Sequence, residues 1–422
     1  MPSGVGPPDT GGDLPKTELT AAAAGGERGR WVIVAEEPFL PANSGGRIET
    51  LSFLQACRSA RVARFVLVPG LDDVDYGVHQ RELAPAIVRR LPRRTRSTQH
   101  LSTKPYVVAS RPFPSGLSNV ICAEVAGWGA TGVISSSFRV AHIGVALARS
   151  LGLPLVIRPH NIESEYFASL AGATSGLRKL AYRVESEKLR RYERIVHQLY
   201  EVTAFADISQ EEAVQRGRLS RRPVHFLPPF LPKARPSSPQ ARSPAGEVLY
   251  LGAFDNPNNV TGLRWLLKQV WPRVLAQRPS AMLRVVGRRP TSEVVEAIAG
   301  SPRTVGSTDL PDVTPAFESA SVFVNPTQRG AGVNIKVVEA ANRGVPIVST
   351  SVGLRGLALK PGIHALVADS PEQFAGAVVR LLAEPMLGKQ LATTAQMHIR
   401  TVLGHDRLME ALLAMFAPPS RW

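Results

Sequence analysis

The chain has 422 residues, a length that fits two domains at roughly 100–200 residues each. Hydrophobic residues make up 44% and charged residues 20%, so a disordered chain is excluded; two lone cysteines, Cys57 and Cys122, argue against a disulfide framework or a zinc site. The net charge is +16, with arginine-rich runs at 89–96, 178–194 and 216–222 that could meet diphosphates, anionic lipid head groups or nucleic acid, but no helix-turn-helix, zinc-finger or RNP pattern accompanies them.

Residues 1–29 are rich in Gly, Pro and Ala and read as a flexible tail without the apolar core of a signal peptide. No run approaches the ~20 apolar residues of a membrane span. A cytoplasmic protein, with peripheral contact to the inner membrane face as an open option, is the expectation. Trp31–Ala35 predicts a strand, followed by a Gly loop (Pro38–Arg47) and a helix over 48–60. Phe65–Val68, Tyr106–Ala109, Gly132–Ser135 and Leu155–Arg158 predict further strands, and 140–151 a helix. Residues 177–200 read as a long basic helix and 204–209 as a strand ending in a turn. This alternation is that of a doubly wound α/β domain over 30–227.

Residues 228–246, dense in Pro, Ser and Ala, read as an interdomain linker. A second α/β domain is expected over 247–395, with strands at 248–251, 282–286, 322–325 and 345–349. Its helices are expected at 260–277, 291–299, 333–343 and 371–382. Residues 396–422 read as a C-terminal helix able to pack back on the first domain. The fold class is therefore α/β, two Rossmann-like doubly wound domains facing across a cleft.

The densest chemistry lies in NPTQRGAGVNIKVVEAANRGVPIVSTSVGLRGL, from Asn325 to Leu357. A strand ends at Asn325, and the turn Arg329-Gly330-Ala331-Gly332 opens a helix near Val333. Small residues let a phosphate reach the free amides at that helix start, where the dipole favours negative charge. Lys336, Glu339 and Arg343 share one polar face. Glu339 could accept from two ribose hydroxyls, while Lys336 and Arg329 could neutralise a diphosphate; the bland alternative is a surface ion-pair ladder.

The stretch GAGVNIKVVEAANRGVPIVSTSVGLRGL resembles the donor-site signature of glycosyltransferase family 4, the group 1 glycosyltransferases of GT-B fold. VLYLGAFDNPNNVTGLRWLLKQVWPRVLAQRPSAMLRVVG resembles the family's first donor-domain strand–helix–strand, VIRPHNIESEY its His-containing loop, and PANSGGRIETLSFL its opening Gly loop. The resemblance implies transfer of a sugar from a nucleotide-diphosphate sugar to an acceptor hydroxyl on a glycan, lipid or small molecule. It further implies retention of anomeric configuration and no bound metal or other cofactor. By resemblance, Glu339 would hold the donor ribose and Lys336 would lie near the diphosphate. Gly330, Gly332 and the neighbouring Ala331 and Val333 would present backbone to phosphates or sugar. Gly45, Gly46 and Arg47 would approach the diphosphate from the other domain, and His160 would face the reacting centre.

Two departures stand out. Ala331 occupies the place of the first glutamate of the family's Glu-x7-Glu motif, the residue that usually touches the donor sugar. Gly252-Ala253-Phe254-Asp255-Asn256 replaces the usual Arg/Lys pair, so Arg329, Arg288 or Arg47 would have to supply the charge. Asn161 and Glu163, with Glu165, are candidates on the acceptor side or caps of a following helix. Alternative readings are an epimerase on the same fold or a non-catalytic sugar- or membrane-binding relative; nucleic acid is not an expected partner.

Overall fold

The computed structural model describes residues 29–42, 44–70, 74–95, 99, 102–232, 246–310 and 312–416. The expected tail lies outside the described residues but for residue 29, as do residues 233–245 of the expected linker and the chain beyond 416.

The N-terminal domain holds seven parallel strands: β1 (Trp31–Val34), β2 (Ala63–Gly70), β3 (Ile87–Pro92), β4 (Gly132–Ser135), β5 (Leu155–Ile157), β6 (Val202–Asp207) and β7 (Val224–Phe226). Its helices are α1 (Gly45–Ser59), α2 (Tyr76–Leu83), α3 (Tyr106–Ala109), α4 (Ser115–Gly127), α5 (Ala141–Leu151), α6 (Glu163–Gly172), α7 (Gly176–Val196) and α8 (Gln210–Gly217). The C-terminal domain holds β8 (Glu247–Ala253), β9 (Met282–Arg288), β10 (Thr304–Thr308), β11 (Val322–Asn325), β12 (Ile347–Ser349) and β13 (Leu366–Val367). Its helices are α9 (Pro257–Trp265), which runs through a π-turn into α10 (Trp271–Gln277), α11 (Ser292–Ala299), α12 (Thr314–Ser319), α13 (Ile335–Asn342), α14 (Pro371–Ala383), α15 (Pro385–Val402) and α16 (His405–Ala414).

Strand order is β3-β2-β1-β4-β5-β6-β7 in the first sheet and β10-β9-β8-β11-β12-β13 in the second, all pairs parallel. Each order reverses beside its first strand, at β1/β4 and at β8/β11. Open α/β sheets bind ligands outside the carboxyl ends of strands at such a point. Side chains of β1 alternate between two cores, Trp31 and Ile33 to one face and Val32 and Val34 to the other. In β8, Val248 and Tyr250 go to one face and Leu249 to the other.

Three local findings differ from the sequence reading. Tyr106–Ala109, read as a strand, is a single helical turn in which Val107 and Val108 pack on Leu189 and the Val107 amide donates to Glu185 Oε1 (3.1 Å). Pro228 to Leu231, read as linker, are buried; Arg158 donates to the carbonyls of Leu227 and Pro228 (both 2.9 Å). The edge strands β3, β7, β10 and β13 are not anticipated by the sequence reading. They are partly exposed and short or interrupted by polar residues, such as Arg89 and Arg90 in β3 and His225 in β7, so they lack the continuous apolar run of a central strand.

Helix α16 leaves the C-terminal domain and buries Leu408, Met409 and Leu412 in the core of the N-terminal one. Phe416 stacks on Trp31 with ring centroids 4.7 Å apart. A Cβ at Gly132 would lie 2.5 Å from that phenyl ring, so glycine makes the seat.

Candidate functional site

The start of α1 meets the start of α13. A Cβ on Gly45 would lie 3.1 Å from Cβ of Ile335, so the first residues of the two helices nearly touch across the domains. Ser44 caps α1, its Oγ accepting from the Arg47 amide (3.4 Å); Asn334 makes no side-chain cap on α13, and neither first turn carries an acidic residue. Two positive dipole ends thus converge without a compensating carboxylate in either turn, an arrangement that favours an anion. A Cβ at Gly46 would meet nothing within 4 Å, which leaves that backbone open. Arg47 pairs with Glu37 (3.3 Å). Arg288, at the end of β9, faces it from the other domain: burial pulls the guanidinium pKa down, Asp255 opposes this, and Arg289 and Arg47 add to the fall.

His160, on the loop after β5, sits in a buried charge cluster. Its Nε2 lies 2.9 Å from Glu49 Oε2, an ion-pair distance without hydrogen-bond alignment, and its Nδ1 lies 3.9 Å from Glu36 Oε2. Burial pulls the imidazole pKa down; the Glu49 and Glu36 carboxylates more than reverse this, so it is raised. Glu49 Oε1 accepts from Arg158 Nε (3.1 Å) and Nη2 (2.6 Å), and Arg158 is itself stacked between Phe53 and Phe230. Burial would raise the Glu49 carboxyl, but Arg158 and His160 hold it at about 2. Glu36 is likewise held at about 2, burial being outweighed by Arg139, Arg111 and His160. Arg139 bridges Glu36 (2.5 Å) and Glu163 (2.8 Å). Glu163 is buried beneath this pair, and burial raises its pKa against the pull of Arg139. Glu165 lies outside the cluster, where Gln215 donates to it.

On the C-terminal side, Lys336 Nζ donates to Asn259 Oδ1 (3.1 Å) and stands 5.4 Å over the Tyr250 ring. Burial pushes its pKa down to about 8. Glu339 pairs with Arg343 (3.0 Å), whose guanidinium covers Phe317; burial raises the carboxyl and Arg343 opposes it. Asp312, from the loop after β10, adds to the rise. A Cβ at Gly252 would strike the Tyr250 hydroxyl at 2.7 Å. Asp255 pairs with Arg289 (3.1 Å), and Asn256 caps α9 through the Asn258 amide (3.0 Å).

The Gly-rich turn rests on the N-terminal domain. Gly332 N donates to Glu212 Oε1 (2.6 Å), and Glu212 Oε2 accepts from the Ile162 amide (3.1 Å). With its amide assigned nitrogen-inward, Asn161 donates to the carbonyls of Ala331 (3.2 Å) and His160 (3.0 Å). Burial raises the Glu212 carboxyl to about 8, partly offset by the Gly332 hydrogen bond and Arg216. Arg329 turns outward and donates to the Gly172 carbonyl of α6. Gly330 is open on its Cα side, with only Thr327 near, and Val333 packs against Gly356.

The structure therefore brings Gly45 against Ile335 and Gly332 against His160 and Asn161 across the domains. Lys336 packs on Asn259 and Tyr250, the Gly332 amide is taken by Glu212 rather than left free for a phosphate, Arg329 turns to Gly172, and Glu163 is buried. Glu49, Glu36, Arg139, Arg158 and Glu212 escaped the sequence reading. Ser209-x-x-Glu212 carries the spacing of a helix capping box, and Ser209 Oγ does accept from the Glu212 amide (3.4 Å). The glutamate side chain of that motif reaches across the domains instead.

Comparison with known proteins agrees with this architecture. Residues 245–384 match the family model for glycosyl transferases group 1, which this chain resembles over its C-terminal domain. A protein of Klebsiella pneumoniae described as an uncharacterized 44.6 kDa protein in the cps region is 24% identical over 233 residues, 53% of this chain and 58% of that protein. The phosphatidyl-myo-inositol mannosyltransferase of Mycolicibacterium smegmatis is 29% identical over 33% of this chain and 37% of its own length. The matched stretches thus span less than two thirds of both relatives. Among solved structures, sucrose-phosphate synthase from Thermosynechococcus elongatus superposes with a TM-score of 0.63 at 16% identity, covering 91% of this chain and 99% of that one. TarM of S. aureus, solved with UDP, gives 0.65 at 8% identity, covering 92% and 100%. The two-domain fold is that of GT-B glycosyltransferases.

Proposed function

We propose that the protein is a glycosyltransferase that moves a sugar from a nucleotide-diphosphate donor to an acceptor hydroxyl with retention of anomeric configuration. One observation carries the reading: the uncapped start of α13 abuts the start of α1 at Gly45 and Ile335, and a diphosphate placed there would be met by amides of both domains. Lys336 would add a charge to the leaving phosphate, and Arg47 and Arg288 would flank it. Fixed dipoles and cations would then meet the charge that develops on the leaving group, which in most such reactions lowers the barrier more than any other single effect. Glu339, beside the loop of Asp312, would take the ribose hydroxyls.

The acceptor would come from the side of His160. Glu36, Glu49 and Glu163 around it are each engaged by arginine, so a leaving-group-assisted attack on one face suits the site better than an enzyme nucleophile. The reaction would run without a divalent metal. A thermal-shift panel of nucleotide sugars tests the reading, since a bound donor raises the melting temperature by mass action. NMR of the product anomer tests retention. Absence of any shift across the panel, or full turnover by Glu339→Ala, would overturn it.

A further inference from the structure

The basic run at 178–194 takes no part in the cleft. It lies on α7, whose 3.6-residue turn puts Lys179, Arg183 and Arg190 on one side of the helix. That side looks into a half-open cavity of about 530 Å³, lined also by Ala168, Ala171 and Gly172 of α6 and by Arg329 of the donor turn. Four cations therefore surround one cavity. The single carboxylate in its wall, Glu187, is taken by Arg190 and by Arg191 (3.3 Å). Among the described residues, Lys179 and Arg183 form no salt bridge. Guanidinium forks beside an ammonium suit phosphate oxygens.

A second feature adjoins the first. Leu177, Leu180 and Val184 are 86%, 59% and 47% exposed, and lie about a third of a turn round α7 from the cationic side. Arg191 and Arg194 continue the exposed surface toward the helix end. An apolar stripe bordered by cations is the pattern of a helix that lies in a bilayer interface, with aliphatic side chains inserted and cations at head-group level.

We propose that α7 docks on an anionic membrane surface and that the cavity between α6, α7 and Arg329 takes the phosphate of a lipid head group. The charge complement and the adjoining stripe favour a lipid over a free phosphate, which would need the cavity alone. Arg329 ties the cavity to the Gly330–Gly332 turn, so an occupied cavity touches the same segment that faces the cleft. The proposal stands apart from the transferase reading, because lipid docking can hold where nucleotide binding fails.

The test is co-sedimentation of the full chain with vesicles of phosphatidylcholine alone or mixed with phosphatidic acid. The native protein is expected to sediment with the mixed vesicles only, less so as salt rises. Lys179→Ala with Arg183→Ala should cut the partition roughly thirtyfold, two cations at the surface being lost. Leu177→Ser with Leu180→Ser should also weaken it. Lys389→Ala with Arg400→Ala removes equal charge from exposed positions on α15 of the other domain and should leave sedimentation unchanged. Equal losses in the two charge variants would reduce the effect to net charge and overturn the site. A melting shift with inorganic pyrophosphate but no sedimentation would overturn the lipid as its source. Nucleotide-sugar shifts measured on the same samples report separately on the transferase reading.

Discussion

Gly332 and Glu212, 120 residues apart, are joined across the two domains by a hydrogen bond from the glycine amide to the carboxylate, 2.6 Å long. The glycine stands at φ +75°, a region costly to other residues, and a Cβ there would lie 2.7 Å from the His160 carbonyl and closer still to Asn161. Gly332→Ala should therefore part the turn from the His160 loop. The expected outcome is a larger radius of gyration in solution scattering and a loss of nucleotide-sugar turnover of at least about tenfold, with each domain still folded. An unchanged radius would show that the contact does not hold the domains.

Glu212 itself predicts a pH dependence. Its folded pKa, about 8, lies above the 4.5 of the free side chain because burial opposes its charge. A raised value means that stability from this group is complete below about pH 4.5 and is lost as pH rises through 8. The domain contact should loosen over that window. Glu212→Gln keeps the shape and one acceptor, and scattering curves of this variant should no longer change between pH 6 and 9.

Lys336 gives a test on the ligand side. Burial holds its pKa at about 8, and a diphosphate beside it would raise that value. Affinity for a nucleoside diphosphate should therefore be full below pH 8 and fall by up to about tenfold per unit above it. Titration calorimetry of Lys336→Met should give weaker binding with a flatter profile. A native protein whose affinity is level from pH 7 to 9 would remove Lys336 from the phosphate site.

The cluster of Glu49, Arg158 and His160 is a stability element as well as a surround for the histidine. Removing the carboxylate with Glu49→Ala leaves a fully buried guanidinium unpaired, which costs about 3–5 kcal/mol. Glu49 has a depressed pKa, so its contribution fades as pH falls from 4.5 toward 2. His160 has a raised one, so its contribution is complete below 6.5 and fades as pH rises through the elevated value. Urea midpoints of the native protein should decline on the basic side of about pH 6.5, and that decline, to which Glu212 also contributes, should become shallower in His160→Gln.

Much of this was legible from residues alone. The apolar strands β1, β4, β8 and β11 announce themselves, and the Gly loops that follow β1 and β11 lie at the two switch points where the sheets reverse. Edge strands such as β10 were hidden because Thr304–Thr308 faces solvent and carries no apolar alternation. Tyr106–Ala109 misled because two adjacent valines favour a strand, whereas packing on Leu189 and the Glu185 bond hold a turn of helix. Glu49 and Glu212 were invisible for another reason. Their partners lie 109 and 120 positions away: Arg158 reaches Glu49 only once β5 joins the same sheet as β1, and Gly332 reaches Glu212 only across the two domains.

The return of α16 has a mechanical consequence. The chain passes between the halves near Leu231, which packs in the C-terminal core, and again before His405, whose Nε2 stands 2.7 Å from the Leu231 carbonyl. The two passages thus touch at Leu231 and His405. A lobe hung on paired pivots can rock about the line through them but cannot swivel freely. Any opening of the protein should follow a single arc.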